Sequence, residues 1–350
     1  LSKLPIQNVV SWTALIGGYA KYGNNEEALK CYQSMRNQGI FPDAITLVHC
    51  LRACGNSGAT EKVLEIHAEI ARKGLLDTNV VISNALLDTY VKCGSLTKAQ
   101  EVFDKIPIRD VISWSVMITS YAEKGEHTKA FFSYAQMQDQ GLLPNVATLV
   151  GILIACGDVA SLRIGRQIHT SVYRMGHISH LMLANALIDM YSRCGALEKA
   201  QEVLKQLPKR DVVSWNAMIA GYVQKGLGDE ALNCFRQMKN EAVCPNVVTY
   251  ICILKACGMT GSLEIAENVE VEIRKQGLLH KDIALGNALV DMYSKCGAFE
   301  KAREVFKELP VRDIVPWSAL LTGYSQLGKE NVVFNLYNRM KSEGIVPDLV

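Results

Sequence analysis

The stretch Val212-Val-Ser-Trp-Asn-Ala-Met-Ile-Ala-Gly-Tyr222 decides the fold of this chain, because near-copies of it recur at a fixed spacing. Every tryptophan of the 350-residue chain stands inside such a copy, and successive tryptophans lie 102, 101 and 102 residues apart. They are Trp12, Trp114, Trp215 and Trp317. Core packing alone would scatter tryptophans along a chain, so this spacing indicates a tandem repeat.

The long period divides into three shorter units. The phrase Asn-Ala-Leu recurs at 84–86, 185–187 and 287–289, and the phrase Ala-Cys-Gly recurs between those copies and the tryptophans. After a short start at 1–8, the chain divides into ten repeat units of 31 to 36 residues. Their bounds are 9–43, 44–79, 80–110, 111–145, 146–180, 181–211, 212–246, 247–282, 283–313 and 314–348.

Each unit has the pattern of a helical hairpin. In the first unit the apolar residues Trp12, Leu15, Ile16 and Tyr19 follow the i, i+3, i+4, i+7 spacing of one helix face. Ser11 is predicted to cap the start of that helix. A second amphipathic stretch follows and ends near Gly39. Stacked hairpins of this kind predict an all-α solenoid whose concave surface is lined by the first helices.

Bulk composition restricts the function only weakly. The net charge is +2 and 49% of the residues are hydrophobic, which neither indicates nor excludes a nucleic-acid partner. Since no run approaches 18 apolar residues, we expect no transmembrane helix and no membrane partner. The start Leu1-Ser-Lys-Leu-Pro5 has neither an initiator Met nor the features of a secretory or transit sequence. We therefore expect the chain to be an excerpt of a longer protein.

These motifs resemble the repeats of pentatricopeptide repeat proteins of the plant PLS subclass. Tetratricopeptide repeats share the skeleton of Trp12-Thr-Ala-Leu-Ile-Gly-Gly-Tyr19, but the prolines here lie elsewhere. The marks of P repeats are the stretch at 212–222 and Gly-Ile-x-Pro-Asp at 39–43 and 344–348. The mark of S repeats is Asn-Ala-Leu-x-Asp-x-Tyr-x-Lys/Arg-Cys-Gly, first at 84–94. The resemblance assigns P units to 9–43, 111–145, 212–246 and 314–348, L units to 44–79, 146–180 and 247–282, S units to 80–110, 181–211 and 283–313, and the end of an S repeat to 1–8.

The resemblance implies a fold and a function for the whole chain. The implied fold is a right-handed superhelical α-solenoid of stacked helix–turn–helix repeats. The implied function is sequence-specific binding of single-stranded RNA, one base per repeat, in a mitochondrion or a chloroplast. The chain would then be the targeting part of a C-to-U RNA-editing or processing factor. Small RNA-editing cofactor proteins would be a second class of partner, reached through the L units, and a cytidine-deaminase-like domain could follow the array in the whole protein.

In that family the fifth and last residues of a repeat read the base. The corresponding pairs in the P units are Thr13/Asp43, Ser115/Asn145, Asn216/Asn246 and Ser318/Asp348. Those in the S units are Asn84/Asp110, Asn185/Asp211 and Asn287/Asp313, and those in the L units are Val48/Asn79, Val150/His180 and Ile251/Asp282. Because Val and Ile offer no hydrogen bond, the L units should read weakly or not at all. The family's code then predicts the target 5′-GnUAnUYnUG-3′, in which Y is a pyrimidine and C is slightly preferred.

A purely structural role is the alternative for these pairs. Asp110, Asp211 and Asp313 could cap the next helix, and the paired asparagines could satisfy backbone groups at a packed interface. Among the P units, however, the fifth residue varies while the adjacent tryptophan does not. A position with only a structural role would be expected to vary as little as its neighbour, so the variation favours recognition.

Two further classes of RNA contact are implied by the resemblance. Apolar residues at the second place of a unit would sandwich the bases, and these are Val10, Val81, Ile112, Val213 and Val315. Cations near the end of the first helix would contact phosphates, and these are Lys21, Lys92, Arg193 and Lys295. Glu123, Gln224 and Gln326 depart from that pattern, and ordinary cationic helix ends are the alternative.

No motif indicates catalysis or a bound metal. His67-Ala-Glu69 imitates the H-x-E of zinc deaminases, but the partner motif P-C-x-x-C is absent. His67 and His169 occupy equivalent repeat positions, where the third copy has Glu270. Six of the cysteines precede a Gly at equivalent places without metal-ligand spacing, so we interpret them as buried packing residues at helix ends. We expect no enzyme, no metal and no cofactor in this chain.

A protein-interaction scaffold is the rival function from a different class. Helical solenoids commonly bind peptides or helices, and the non-reading L units leave Val48, Val150 and Ile251 available for such contacts. Both functions could reside in one chain.

Overall fold

The computed structural model describes residues 8–176 and 180–347, and every regular element in these ranges is an α-helix. The predicted all-α class is therefore confirmed. The chain divides into two compact halves between Val159 and Ala160. This boundary falls inside the unit 146–180, between its two helices.

The first half consists of hairpins whose first helices pack on one another in order. Within it α1 contacts α3, α3 contacts α6, α6 contacts α8, and α8 contacts α10. The helices are α1 Val9–Lys21, α2 Asn25–Asn37, α3 Ala44–Ser57, α4 Thr60–Arg72, α5 Leu75–Thr78, α6 Val80–Lys92, α7 Leu96–Lys105, α8 Val111–Glu123, α9 His127–Asp139 and α10 Val146–Asp158.

The second half repeats this arrangement. Its first helices also contact in order, from α12 through α14, α16 and α18 to α20. The helices are α11 Leu162–Arg174, α12 Leu181–Arg193, α13 Leu197–Gln206, α14 Val212–Gln224, α15 Gly228–Asn240, α16 Val247–Thr260, α17 Leu263–Lys275, α18 Ile283–Lys295, α19 Phe299–Glu308, α20 Ile314–Gln326 and α21 Glu330–Ser342.

The first helix of every repeat unit begins at the first residue of that unit, because the last residue of the preceding unit is its N-cap. Asp43, for example, accepts a hydrogen bond from the backbone N–H of Thr46 and so caps α3. The prediction that Ser11 caps α1 is wrong. Asn8 is the N-cap, and Ser11 lies at the third helical position, where its Oγ accepts from the backbone N–H of Asn8. A polar residue three places into a helix closes a capping box rather than starting the helix.

The four tryptophans lie in the core, with at most 5% of each exposed. Trp114 packs edge-on against Phe103 of the preceding hairpin at 4.8 Å between ring centroids, and Trp317 packs in the same way against Phe306 at 4.6 Å. At these two junctions the tryptophan therefore joins one hairpin to the next. The residue that follows each tryptophan projects about 100° further round the helix, toward the first helix of the next unit.

One element has no counterpart in the predicted hairpins. The short helix α5 fills the end of the unit 44–79, after Gly74 turns the chain in the left-handed region with φ of +60°. Its four residues are too few to show a helical periodicity, so the sequence pattern did not predict it.

Candidate nucleic-acid interface

In the S units, the predicted fifth and last residues are hydrogen-bonded to each other. Asn84 Nδ2 donates to both carboxylate oxygens of Asp110, at 3.0 and 3.1 Å. The same bidentate contact recurs twice in the second half: Asn185 to Asp211 at 3.2 and 3.4 Å, and Asn287 to Asp313 at 3.0 Å for both oxygens. Residues 26 positions apart thus form one polar site at each junction between an S unit and the next P unit.

The aspartates of these sites also cap helices. Asp110 Oδ1 accepts from the backbone N–H of Ser113 at 2.8 Å, and Asp211 Oδ1 accepts from that of Ser214 at 2.9 Å. The capping role and the pairing with asparagine therefore coexist in one carboxylate, which has enough lone pairs for both. The asparagine amide groups donate to a carboxylate, so satisfying backbone groups does not explain them.

Each of these asparagines keeps one acceptor without a partner. The Oδ1 atoms of Asn84, Asn185 and Asn287 are buried, and no donor among the described residues reaches them. A buried amide oxygen without a donor costs free energy, which a hydrogen bond from a ligand would recover. The carboxylate holds the Nδ2 end of each amide, so the Oδ1 end is the one left for a ligand.

In the P units, the corresponding residues meet through a third side chain. Asn216 Nδ2 donates to Asn246 Oδ1 at 3.0 Å, and Ser115 Oγ donates to Asn145 Oδ1 at 3.0 Å. Each fifth residue also contacts the hydroxyl of a threonine at the third place of the following L unit. The contacts join Thr13 to Thr46, Ser115 to Thr148 and Asn216 to Thr249, at 2.5, 2.7 and 2.6 Å between oxygens. Thr13 reaches Asp43 only through Thr46, whose Oγ1 donates to Asp43 Oδ1 at 2.7 Å.

The remaining predicted pairs differ from these. Ser318 is half-buried, and its predicted partner Asp348 lies outside the described residues. In the L units, Asn79 and Asp282 cap α6 and α18 through the backbone N–H groups of the third helical residues. Their predicted partners Val48 and Ile251 have no polar group that could contact them, and Val150 and His180 belong to different halves.

The predicted sandwiching residues are all exposed, with 49% to 72% of each side chain accessible. An exposed aliphatic side chain at the second position of a helix offers a flat apolar contact to a base. Three further residues at the same place in their units are equally exposed, and sequence reasoning did not name them: Ile45, Met182 and Val248. Counting from each unit's first residue would have found them.

Grooves between the first helices of neighbouring units contain the predicted sandwiching residues, base readers and phosphate-binding cations side by side. A groove of about 380 Å³ is lined by Ile112, Ser115, Asn145 and Lys92, which are a predicted sandwiching residue, reader, last residue and cation. A groove of about 320 Å³ in the second half holds Val315, Ser318 and Lys295. A third, of about 430 Å³, holds Arg193 beside α14. All three grooves lie at the junction of an S unit with a P unit.

Comparison with known protein families agrees with this repeat geometry. The sequence pattern of the PPR repeat family matches residues 7–56 and 210–259, and that of the PPR repeat matches 81–111, 112–142, 183–212, 287–314 and 315–345. These matches cover more than half of the chain. The chain belongs to the pentatricopeptide repeat family.

Individual relatives lead to the same family. The chain is 34% identical over 346 residues to the chloroplastic pentatricopeptide repeat-containing protein At4g18520 of Arabidopsis thaliana, covering 99% of this chain and 56% of that protein. It is 32% identical over 322 residues to the mitochondrial protein At1g06140 of the same plant, covering 91% of this chain and 58% of the relative. The chain thus spans little more than half the length of these curated relatives.

Among solved structures, the fold is similar to that of the pentatricopeptide repeat protein PPR10 in complex with an 18-nt psaJ RNA element. The TM-score is 0.83 at 18% sequence identity, covering 99% of this chain and 52% of that one. At that identity the likeness supports the fold alone, and it agrees with the stacked hairpins described above.

The predicted phosphate-binding cations of this pentatricopeptide repeat chain are mostly paired. Lys92 lies 2.6 Å from Asp88, Arg193 lies 2.9 Å from Asp189, and Lys295 lies 2.7 Å from Asp291, one helical turn back in each case. The i, i+4 spacing of these pairs is visible in the repeat phrase and could have been predicted. Lys21, which has Gly17 one turn back, makes no ion pair among the described residues.

In this pentatricopeptide repeat chain, the His and Glu of the deaminase-like H-x-E motif contact different neighbouring units. His67 Nδ1 lies 2.7 Å from the hydroxyl of Tyr90 in the next unit, whereas the buried Glu69 accepts from Tyr32 in the preceding unit at 2.9 Å. His169 contacts Tyr191 at 2.8 Å, and Glu270 accepts from Tyr293. The equivalent positions therefore share one packing role, and burial lowers the pKa of both His67 and His169.

The six repeated cysteines are only partly as predicted. Cys54, Cys156 and Cys257 are buried, whereas Cys93, Cys194 and Cys296 are half-buried because they are the C-caps of α6, α12 and α18. Among residues 8–176 and 180–347, no group of three His, Cys, Asp or Glu side chains is arranged to hold a metal ion. None of the helices in those ranges has the length and apolarity that a membrane span requires.

Proposed function

We propose that this chain binds single-stranded RNA in a sequence-specific manner, with one base facing each P and S unit. The target that we propose is 5′-GnUAnUYnUG-3′, with no discrimination at the bases facing the L units. We further propose that the chain is of the PLS subclass, and that the whole protein targets organelle transcripts for C-to-U editing or processing.

The groove beside Ser115 carries this proposal. Ile112 presents an apolar face to a base, while Ser115 and Asn145 offer polar groups to its edge. Lys92 lines the same groove together with its ion-pair partner Asp88 and with Glu123, and it is the cation there that a backbone phosphate would contact. A single-stranded nucleic acid is the ligand that combines a flat apolar surface, a polar edge and a negative charge.

The repetition of the site supports a linear polymer as ligand. The same two positions are brought together at three S–P junctions and, with a threonine, at three P–L junctions. A small molecule would need one such site, whereas an RNA strand can occupy a series of them. Single-strandedness follows because the polar groups address base edges, which are engaged in a duplex.

Similar proteins support the choice of RNA and of an organelle. PPR10 was crystallised with an RNA element, and the relatives named above are chloroplastic and mitochondrial proteins. The PLS subclass rests on the alternation of unit lengths and on the apolar fifth residues of the L units.

The test is a comparison of two ten-nucleotide RNAs. We expect 5′-GAUAAUCAUG-3′ to bind more tightly than a scrambled RNA of the same composition, because each stacked and hydrogen-bonded base contributes about 1–3 kcal/mol. Fluorescence anisotropy at constant salt would measure both dissociation constants. Equal affinities would contradict the proposal, and measurement at fixed ionic strength is needed because phosphate contacts alone would bind both RNAs.

A protein-interaction scaffold is the second candidate, and one groove favours it. Ala44, Ile45, Val48, Val81 and Ile82, together with the capping residue Asn79, line a largely apolar groove of about 280 Å³ between α3 and α6, where the fifth residue of the L unit is apolar. Such a groove suits an aliphatic anchor of a small editing cofactor protein better than a base. Binding of a partner protein that is abolished in Val48→Asp, with RNA affinity retained, would identify this second role.

A further inference from the structure

The threonines at the third place of the L units occupy a position that the two-residue reading of a repeat does not include. Thr46, Thr148 and Thr249 are fully buried, although they lie in the first turn of α3, α10 and α16. In each case the hydroxyl lies within 2.7 Å of the fifth residue of the preceding P unit and within 3.1 Å of its last residue. The hydroxyl therefore links the fifth and last residues of the P unit, in a closed triad with Ser115 and Asn145 or with Asn216 and Asn246, and as the bridge between Thr13 and Asp43.

The direction of the hydrogen bonds around Asn216 is determined by the backbone. The N–H of Thr249 donates to Asn246 at 3.1 Å, so the atom of Asn246 at this point must be the acceptor Oδ1. Asn216 can approach that acceptor only with its Nδ2 end, at 3.0 Å, which turns its own Oδ1 toward Thr249. The Thr249 hydroxyl then donates to Asn216 Oδ1 at 2.6 Å.

The asparagines of the S units differ from Asn216 at the amide oxygen, which receives no hydrogen bond within the described ranges. Asn84, Asn185 and Asn287 also donate through Nδ2, but their Oδ1 atoms have no donor among the described residues. The residue equivalent to Thr249 is a serine whose Oγ donates back to its own N-cap, as Ser113 does to the carbonyl of Asp110 at 2.8 Å. At the third junction it is Pro316, which has no hydroxyl, and the contact of Asn287 with Asp313 is intact.

The third-place residue therefore varies with the kind of reader. It is a threonine after the Thr, Ser and Asn readers of the first three P units, a serine or proline after the Asn–Asp pairs, and Ile or Leu after the apolar readers of the L units. A hydroxyl that served only to cap the helix would be equally useful at every junction. The third-place residue is buried at the other junctions as well, but within the described residues only the threonine hydroxyls contact the fifth residue of the preceding unit, which points to the reader as their partner.

We infer that Thr46, Thr148 and Thr249 are positioning residues of the base-reading sites, which set the hydrogen-bonding groups that the P-unit reader can offer to a base. This inference rests on the proposed RNA-binding function. With its Oδ1 engaged by Thr249, Asn216 offers its second Nδ2 hydrogen as a donor. Cytosine presents an acceptor at N3, whereas uracil presents a donor there, so the threonine favours cytosine at the seventh base. The S-unit asparagines, with a free acceptor, favour uracil.

Substitution of Thr249 tests this inference in the whole chain. Dissociation constants would be measured for four RNAs that differ only at the seventh base, using wild type, Thr249→Val and Thr249→Ser. We expect Thr249→Val to lower the preference for cytosine over uracil by about three- to tenfold, the size of one net hydrogen bond, and Thr249→Ser to retain it. Thermal unfolding of each variant monitors the fold, and Thr249→Ala replaces the valine variant if the latter does not fold.

Matched controls distinguish a failure of the positioning role of Thr249 from a failure of the RNA-binding function. Ser214→Ala removes the equivalent hydroxyl at an S–P junction and should leave the preference for uracil at the sixth base unchanged. An unchanged preference at the seventh base in a folded Thr249→Val or Thr249→Ala chain would overturn the positioning role while the RNA-binding function stands. If wild type discriminates no base at the third, sixth or seventh place, the proposed function itself is wrong.

Discussion

The S–P junctions and the P–L junctions place the same two repeat positions together, but they leave different atoms for a ligand. At an S–P junction a carboxylate holds the asparagine from one side, and the amide oxygen stays free, as at Asn185. At a P–L junction a buried threonine engages the fifth residue from the other side, as at Asn216. Asn185 and Asn216 are the same residue type at the same repeat position, yet they leave different amide atoms for a ligand. The residue at the third position of the next first helix accounts for this difference, because only Thr249 donates to the amide oxygen.

Among the substitutions that test this comparison, removal of the S-unit readers should have the largest effect on RNA affinity. The triple substitution Asn84→Val, Asn185→Val and Asn287→Val replaces the amide groups with apolar side chains of similar size. We expect a loss of about 1–3 kcal/mol of binding free energy per affected base in RNA titrations. Val48→Ala, Val150→Ala and Ile251→Ala together form the control at L-unit places, and a comparable loss there would show that position in the repeat does not matter.

Conversion of one S-unit site toward the P-unit type should have a smaller effect. In Asp211→Asn the last residue gains donors and loses its charge, so it holds the Nδ2 end of Asn185 less firmly. We expect the preference for uracil at the sixth base to fall by about three- to tenfold, as one charge-assisted hydrogen bond is weakened. Asparagine caps helices as well as aspartate does, so the melting temperature should be nearly unchanged. A large drop in melting temperature with unchanged base preference would mean that capping is the main role of Asp211.

The cations near these grooves should affect the salt dependence rather than the base preference. Replacing Lys21, Lys92, Arg193 and Lys295 by Ala should reduce the slope of log affinity against log salt by about 0.7 for each phosphate that the variant no longer neutralises. The control removes four lysines of second helices, Lys30, Lys62, Lys199 and Lys301, and thus an equal charge. Equal slopes for the two variants would contradict a phosphate-binding role. Because three of the four cations pair with an aspartate, Lys21→Ala alone should give a measurable share of the effect.

Acid should lower the stability of the chain through two histidines that contact the first helices of S units. Burial lowers the pKa of His67 and His169, which contact Tyr90 and Tyr191 of α6 and α12. A lowered folded-state pKa means that the unfolded chain takes up protons first, so this stability is present above the ordinary value of 6.5 and is lost as the pH falls below it. We expect the melting temperature to fall between about pH 7.5 and about pH 5.5 and the fall to be smaller in the double variant His67→Gln, His169→Gln. An equal fall in both chains would place the acid sensitivity elsewhere.

The smallest effect should come from the turn that precedes a P–L site. Ala242 has φ of +56°, where the equivalent places of the other P units hold Gly39, Gly141 and Gly344. Ala242→Gly should relieve left-handed strain and raise the stability by a few tenths to about 1 kcal/mol in thermal unfolding. RNA affinity should stay the same, because Ala242 takes no part in the hydrogen bonds that join Asn216, Asn246 and Thr249. A change in base preference at the seventh position would show that the turn and the reading site are coupled.

Much of the fold could be predicted because repetition acts as an internal alignment. The tryptophan spacing and the apolar stripe of residues 12–19 specify helical hairpins, and the structure and the family comparison confirm both the class and the family. The cap of α1 and the helix α5 were missed, since one depends on a capping box and the other on a turn at Gly74 without periodicity.

The reading sites could be predicted only in part. The fifth and last places were named from the family's motif, and their roles in this chain stay a prediction. The threonines were missed because Thr249 lies 33 residues from Asn216 and in a different unit, so no local pattern joins them. Their signal was nevertheless present in the sequence. It was the match between the third place of one unit and the fifth place of the unit before.

A base-by-base scan of the target RNA tests the central claim most directly. Each position of 5′-GAUAAUCAUG-3′ would be replaced in turn by the complementary base, and the dissociation constant of the unmodified chain would be measured at one salt concentration. We predict weaker binding for replacements at the first, third, fourth, sixth, seventh, ninth and tenth bases and unchanged binding at the second, fifth and eighth, which face the L units. A uniform profile, or weakening without this three-base period, would contradict the account.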